Sequence, residues 1–366
     1  MHQKKNIPFK IESIDSLGQG VSKTTDKITF IPKTLPGERG EARVVGQKKN
    51  VQFALPTSVQ HTAQERITPE CLHFAQCPSC HFLHTSYEME LKFKLQNLER
   101  LFYKFEHPPI NVIGAVRRFG YRNRLQLHFD TKTKKLGMLD LKNQQIAPIP
   151  NCIIPVDSVK KELVRLYNDD SWLELIPKEG PSQGHLEIYE KNGVVQLSIN
   201  RPYADGGFTQ VFNEMNLQLQ QLLKNELQTD AKTSLLDLFA GDGNLSNNLC
   251  YSNRLCIDFY PRAVVSPYHS VDLYGPDALA QVKRLLHEKN LSPELILIDP
   301  PRSGFKNFKE WIEEMTPKKV VYVSCDPHTL ARDLAPLNSY LIKGVHLVDL
   351  FPSTFHFETV VFLERK

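Results

Sequence analysis

No stretch of this sequence is apolar for long enough to cross a bilayer, so a helical membrane protein is not the expected class. The first ten residues, MHQKKNIPFK, lack the apolar core of a secretory signal, and the expected location is the cytoplasm. Internal repeats and low-complexity tracts are missing too, which sets aside solenoid and fibrous architectures. Cysteine is scarce, with 7 in 366 residues. In a reducing compartment so few thiols point to metal binding, catalysis or burial rather than to disulfides. What remains is an ordinary globular composition, 41% hydrophobic and 23% charged, in a chain long enough for two or three domains.

The net charge is only +4, but it is unevenly placed. Residues 1–135 hold 22 Lys and Arg against 12 Asp and Glu, whereas the remainder holds 23 against 29. A basic first part joined to an acidic second part suits a polyanion-binding region attached to something else, although a solvated basic face would give the same count.

Alternating apolar and polar residues in FKIESIDSLGQGVSK, KITFIPKTL and GEARVVGQKKNVQFA are broken by Gly18, Gly20, Pro36-Gly37 and Gly40. This pattern predicts a small β-barrel of short strands over residues 7–55. The residues SLGQGVSK, FIPKTLPGE and ARVVGQKKN resemble a TRAM domain, an OB-like RNA-binding barrel, which is expected over residues 1–57. Leu91, Leu95, Leu98, Phe102 and Phe105 then recur at helical spacing behind TSYE, a candidate capping box from Thr85 to Glu88, and Pro108-Pro109 stops the run. The spacing predicts a helix over 85–107. From Arg117 to Lys135 the chain mixes Lys and Arg with Phe119, Tyr121 and Phe129. Such a hairpin could stack its rings on RNA bases, or simply present solvated cations. After residue 206, TSLLDLFAGDGN, NRLCIDFY, PELILIDPPRSG and KKVVYVSCDP read as strand-then-loop units separated by helical stretches, the signature of a doubly wound α/β sheet.

Cys71, Cys77 and Cys80 form C-x5-C-x2-C, and Cys152 is the next cysteine downstream. Four such thiols can close a tetrahedral site for zinc or hold an iron–sulfur cluster, and ordinary buried cysteines remain an alternative. The wide first gap favours a cluster. His73, His81 and His84 are read as neighbours of that site or as RNA-facing.

The strand LLDLF leads into Gly241-Asp242-Gly243, a G-x-G turn with Ser246 where a dinucleotide site has its third glycine. Asp258 ends the next strand, where an acid can accept from ribose hydroxyls. No Walker lysine follows, so a nucleoside triphosphate is not expected, and the combination suits S-adenosylmethionine. Asp299, in LIDPPRSG, falls at the switch-point crevice, or else belongs to a rigid Asp-Pro-Pro turn. Val320–Ser324 is an apolar, β-branched run followed by Cys325-Asp326-Pro327. That order puts a thiol at the C-terminal mouth of a strand, where doubly wound sheets bind ligands.

The cysteine cluster, DLFAGDGN, IDPPRSG, VSCDP and DLFPSTFHFETVVFL, in that order, resemble the RNA uracil-5 methyltransferases over nearly the whole chain. The similarity is greatest to the branch with a TRAM domain and an iron–sulfur cluster, which acts on large-subunit ribosomal RNA. The resemblance implies a 4Fe-4S cluster on Cys71, Cys77, Cys80 and Cys152 in a small domain over 67–205. It implies a Rossmann-like methyltransferase domain over 206–366, with S-adenosylmethionine lined by Gln210, Phe239, Asn244, Asp258 and Asp299. It makes Cys325 the nucleophile and Glu358 the base, and it implies a monomer with RNA as partner. Two departures stand out. YPRAVVSPYHSVDLYGPD carries three prolines where the family has a full helix, leaving Asp272 as the candidate on the adenine side. Ser353 stands where the family commonly has histidine.

The chemistry needs these residue types. C5 of uracil is too weak a nucleophile to take a methyl group unaided, and a thiolate added at C6 moves electron density to C5. A base must then remove the C5 proton, and the target base must leave its stack to be reached. Three alternatives remain: the same reaction on transfer RNA, an RNA-binding protein with a decayed methyl-donor site, and an amino-methyltransferase using DPPR. The last normally wants an aromatic where Arg302 stands. The basic excess before residue 135 predicts RNA affinity that falls steeply with salt. Deletion of residues 1–57 is expected to weaken RNA binding in a filter or anisotropy assay while S-adenosylmethionine binding by calorimetry is unchanged.

Overall fold

The structure is a computed structural model that describes residues 5–140, 145–177, 179–202, 210–259 and 267–366. Two compact units are present, one of Met1–Asn97, Arg117–Arg201 and Phe351–Phe355, the other of Leu98–Val116, Pro202–Leu350 and His356–Lys366. Among the described residues, no helix is long and apolar enough to cross a membrane.

The first unit opens with β1 (Asn6–Ile14), β2 (Gln19–Ser22), β3 (Ile28–Pro32), β4 (Arg39–Gln47) and β5 (Val51–His61), which close a barrel in the order β1-β2-β3-β5-β4. Alternate residues of β1 face inward, so Ile7, Phe9 and Ile11 pack on Ile31, Ala42 and Ala54. Burying each large apolar side chain stabilises by roughly 1.5–3 kcal/mol. Gly40 is required where β4 and β5 meet, because a Cβ there would lie 2.0 Å from the Ser58 carbonyl oxygen. Pairing of β4 with β5 continues to Arg39 opposite His61, which carries the barrel past the expected end at residue 57.

Helix α1 (Tyr87–Phe102) contributes to both units and is shorter than expected. Thr85 and Glu88 do not form a capping box. The Ser86 hydroxyl accepts from the Met89 amide at 3.2 Å, while the Thr85 hydroxyl donates to the Glu65 carbonyl at 3.1 Å. Two charged residues four apart on the helix, Glu90 and Lys94, are buried. Glu90 pairs with Lys94 at 2.8 Å and with Arg118 at 3.0 Å, and it accepts the Ser353 amide at 2.7 Å. The segment Phe351–Phe355 is further tied into this unit. The Tyr121 hydroxyl donates to the Pro352 carbonyl, and the His81 and Phe82 amides donate to that of Ser353.

Strand β6 (Asn111–Ile113) belongs to the second unit. The first resumes with β7 (Arg124–Asp130), β8 (Lys135–Asp140), β9 (Gln145–Ala147), β10 (Gln183–Lys191) and β11 (Val194–Ile199), an antiparallel sheet in the order β11-β10-β7-β8-β9. Helix α2 (Asp157–Tyr167) packs Val159, Leu163 and Leu166 into the same core. The rings expected to stack on RNA lie inside this unit. Phe129 is buried against Trp172, and Tyr121 is buried. The strict alternation of β7 turns its apolar residues inward. Arg118 and Arg124 are likewise engaged, by Glu90 and Glu187, and Arg117, Lys132, Lys134 and Lys135 are exposed.

In the second unit, α3 (Asn213–Leu227) precedes β12 (Ser234–Leu238), β13 (Asn253–Asp258), β14 (Tyr268–Ser270), α4 (Ala278–Glu288), β15 (Leu295–Ile298), α5 (Phe308–Met315), β16 (Lys319–Ser324), α6 (Pro327–Leu334), β17 (Tyr340–Val348) and β18 (Glu358–Arg365). The sheet order is β14-β13-β12-β15-β16-β18-β17-β6. The first five strands are parallel, and of these β12, β13, β15 and β16 are largely buried, as a sheet covered on both faces requires, whereas the edge strand β14 is not. Only β18 runs antiparallel to its neighbours, pairing with β16 and β17.

The buried Glu90 makes a prediction. Glu90→Ala leaves Lys94 and Arg118 without their carboxylate, a loss of about 3–5 kcal/mol for a broken buried pair. Thermal unfolding should begin several degrees lower than in the wild type, and an unchanged melting curve would contradict this reading.

Candidate active site and cysteine pocket

The strand order reverses at β12, with β13 and β14 on one side and β15 and β16 on the other. The crevice beyond the C-terminal ends at such a reversal is where open α/β sheets take their ligands. Five side chains singled out in the sequence come to this edge. Phe239 follows β12, Asp258 ends β13, Asp299 follows β15, Cys325 follows β16, and Glu358 begins β18. Ser324 pairs with Thr359, so one step further the antiparallel register sets Cys325 across from Glu358. Pro327 ends β16 without strain because it opens α6 at the first helical position. Asp326 caps that helix by accepting from the His328 and Thr329 amides.

The turn after β12 is tight. Phe239 has φ +59°, Gly241 +53° and Gly243 +74°, and a Cβ on Gly243 would lie 2.6 Å from the Tyr268 hydroxyl oxygen. The Gly241 amide donates to Asp258 Oδ2 at 2.9 Å, which fixes the carboxylate at the mouth of the turn. Asn244 is bound elsewhere. Its side chain exchanges hydrogen bonds with Asn216 and accepts from Gln220, tying the turn to α3. The Phe239 ring lies 5.6 Å from that of Tyr274 and 5.2 Å, edge-on, from Phe305. Tyr274, which donates to the Gly304 carbonyl at 2.8 Å, was invisible to motif reading because it belongs to no motif. Asp272 is exposed and accepts the Tyr274 amide at 3.0 Å. Gln210 is half-buried shortly before α3. Residues 206–209 of GGFTQ and residues 260–266 of the proline-bearing stretch lie outside the described residues.

Electrostatically the edge is crowded with acids. Burial, then the Asp237 and Asp258 charges, pushes Asp299 above the carboxylate range. Burial, then Asp299, does the same to Glu358, whose Oε2 has no hydrogen-bond partner among the described residues. Burial together with Glu358 and Asp299 pushes the Cys325 thiol up to about 12, and the Arg302 guanidinium opposes the rise. Sequence reading missed Arg302 in this role, although it directly follows Asp299-Pro300-Pro301. A site with more acids than guanidinium groups favours a cationic ligand, whose charge would lower all of these values.

A separate pocket lies within the first unit, with about 540 Å³ of empty space that includes open solvent. Cys71, Cys77, Cys80 and Cys152 all line it, beside Phe74, Tyr121 and Arg122. Turns from Cys71 to Cys77 carry the first thiols, with the Phe74 amide on the Cys71 carbonyl and the Cys77 amide on that of His73. Cys152 arrives on the connection between β9 and α2, and His73 Nε2 joins the two segments by accepting the Asn151 amide at 3.2 Å. His73 is thus a neighbour of this pocket, whereas His81 and His84 are buried away from titration, at about 4 and about 3. Burial, then neighbouring thiols, raises Cys80, and burial raises Cys152 to about 11. Among the described residues, no group of three or more His, Cys, Asp or Glu forms a site that could hold a metal ion.

Residues 280–366 match the family model for tRNA (uracil-5-)-methyltransferases. The chain is 28% identical to the 23S rRNA (uracil(1939)-C(5))-methyltransferase RlmD of Shewanella woodyi, over 98% of this chain and 96% of that protein. It is 26% identical, at the same coverage, to its counterpart in Shewanella denitrificans. Among solved structures, the tRNA (uracil-54, C5)-methyltransferase of Pyrococcus abyssi, in complex with S-adenosyl-L-homocysteine, shares the fold. The TM-score is 0.68 at 18% identity, covering 98% of this chain and all of that one.

Asp237, buried at the end of β12, sets a pH dependence. Burial raises it from 3.8 to about 7 against the Ser246 hydroxyl and Arg254, which pull it down. The folded protein then keeps a proton that the unfolded chain has released, so stability falls as pH rises across that window. The melting temperature should drop between roughly pH 4 and 7, and Asp237→Asn should flatten the drop. A profile unchanged by the substitution would place the titrating group elsewhere.

Proposed function

We propose, from its similarity to the RNA uracil-C5 methyltransferases, that this protein moves a methyl group from S-adenosylmethionine to C5 of a uridine in 23S ribosomal RNA. The observation that carries the chemistry is the placement of Cys325 across from Glu358 at the ligand edge of the sheet, beside Asp299 and Arg302. The near-full-length similarity to curated ribosomal RNA enzymes favours ribosomal over transfer RNA.

The donor fits the residues present. Asp258 stands at the end of β13 for the ribose hydroxyls, Phe239 offers a ring beside the turn, and Asp299 faces the crevice. Gln210 and Asp272 complete the lining, and Asn244 acts by holding the turn against α3. When bound, S-adenosylmethionine supplies the methyl group on a sulfonium, the kind of cation that this acid-rich edge favours. The added charge and Arg302 together bring the Cys325 thiol within reach of ionisation. Cys325 adds to C6, and the ring's electron pair shifts to C5. C5 takes the methyl carbon as its bond to sulfur breaks. Glu358 then removes the C5 proton, and the electrons of that C–H bond re-form the ring double bond and expel the Cys325 thiolate. Glu358 must be ionised for this step, and Arg302 is the cation that favours its charged form once the sulfonium has become a neutral thioether.

The five-stranded barrel reads as an OB-like TRAM domain that contacts RNA through its basic surface. The four cysteines of the first unit suit a 4Fe-4S cluster, since their thiolates are the ligand set of such a cluster and they line one pocket. Held by these four thiolates, a cluster would tie the loop of Cys71–Cys80 to the segment of Cys152. The protein works as a monomer in the cytoplasm.

Incubation with S-adenosylmethionine and separate 23S ribosomal and transfer RNA transcripts tests this reading. The wild type should leave 5-methyluridine in the ribosomal transcript. Glu358→Gln should stall after methyl transfer and accumulate a denaturation-resistant protein–RNA adduct, with turnover lower by about 10²–10⁴. Cys325→Ala should give no adduct. Wild-type turnover by Glu358→Gln would move the base elsewhere, and product in transfer RNA alone would overturn the substrate.

A further inference from the structure

One side chain of the barrel reaches the loop that carries the clustered cysteines. Lys33 follows β3 with φ +59°, and its ammonium donates to three main-chain carbonyls of that loop, those of Phe74, Ala75 (3.3 Å) and Cys77 (2.9 Å). An ammonium has three N–H donors, so its full capacity is matched by consecutive turns between two cysteines. The same group lies 4.7 Å from the centroid of the Phe74 ring. Its own backbone is held in turn. Arg66 donates to the Lys33 carbonyl at 3.0 Å and pairs with the buried carboxylate of Glu38, which accepts the Leu35 amide at 2.9 Å. Burial lowers the pKa of this ammonium, and the neighbouring Cys77, Cys80 and Cys71 thiols, then Asp140, oppose the fall.

We propose that Lys33 is the positioning residue of the cysteine pocket: it latches the loop of residues 74–77 to the barrel and offsets the negative charge that the cysteines gather as thiolates. Carbonyls that converge on a cation give the loop one conformation in place of many, so the thiols are held in place before any metal arrives. Only the charge-balancing half rests on the iron–sulfur reading. The latch rests on hydrogen bonds within the first unit. Sequence alone could not show it, because Lys33 is separated from Phe74 by the rest of the barrel.

The test uses the full chain in three forms, wild type, Lys33→Met and Lys33→Arg. In iron-free protein, deuterium labelling of the backbone amides of Phe74, Gln76 and Cys77, read by peptide mass spectrometry, should be roughly tenfold faster in Lys33→Met, as expected for loss of charge-assisted hydrogen bonds that hold their turns. Lys33→Arg should recover most of the protection. In the wild type, acetic anhydride should modify Lys33 more slowly than the exposed Lys48 and Lys49. This comparison needs no variant, so it decides the matter even where Lys33→Met fails to fold. Labelling unchanged in Lys33→Met, or acetylation of Lys33 as fast as of Lys48, overturns the latch. After anaerobic iron and sulfide loading, Lys33→Met should lose its visible absorbance to a chelator faster than the wild type, and equal loss overturns the charge-balancing half. A wild-type protein that takes zinc and no iron refutes the cluster while the labelling and acetylation results still judge the latch.

Discussion

Burying Glu90 imposes the strictest local demand in the first unit. A carboxylate out of water is costly unless charges and donors surround it. Glu90 meets that need with Lys94 one helical turn on, Arg118 and the Ser353 amide. The three partners come from positions 94, 118 and 353, so this carboxylate is satisfied only when segments remote in sequence are present together. The segment Phe351–Phe355 is fixed by that requirement and by Tyr121, and the chain then runs directly through His356 and Phe357 into Glu358 at the head of β18.

The ligand edge of the second unit follows the opposite logic. There the acids are not matched by enough cations, and Asp237, Asp299 and Glu358 all hold their protons more tightly than carboxyls in water. Such strain is tolerated at a site whose ligand brings the missing charge. Cys325 shares the field, and its thiol is quiet in the absence of a cation. In the proposed reaction the arriving sulfonium would favour that thiolate, which limits side reactions before the RNA is bound.

Much of this was legible beforehand because motifs are local. The parallel strands, the turn at Gly241–Gly243 and the thiol after β16 are written in contiguous residues whose period and punctuation admit one reading. The barrel was legible for the same reason, except its end, which was set by how far β5 could pair with β4. The RNA-stacking reading of Tyr121 and Phe129 failed because alternation along a strand says that one face is buried without saying which. Thr85 looked like a cap, but Ser86 does the capping, since a neighbouring strand-like bridge between Arg66 and Thr85 draws the threonine away.

The sequence by itself determined the α/β class, the order of the elements and the identity of the chemically able side chains, because these depend on residue type and short-range spacing. Tertiary structure decided which of those side chains share an environment. Asn244 is spent on α3, Tyr274 joins Phe239, Arg302 acts on Cys325, and Lys33 grips a loop some forty residues away in the chain. Hydrogen bonds and Coulomb forces act over a few ångströms of space and take no account of distance along the chain, so no local pattern records them.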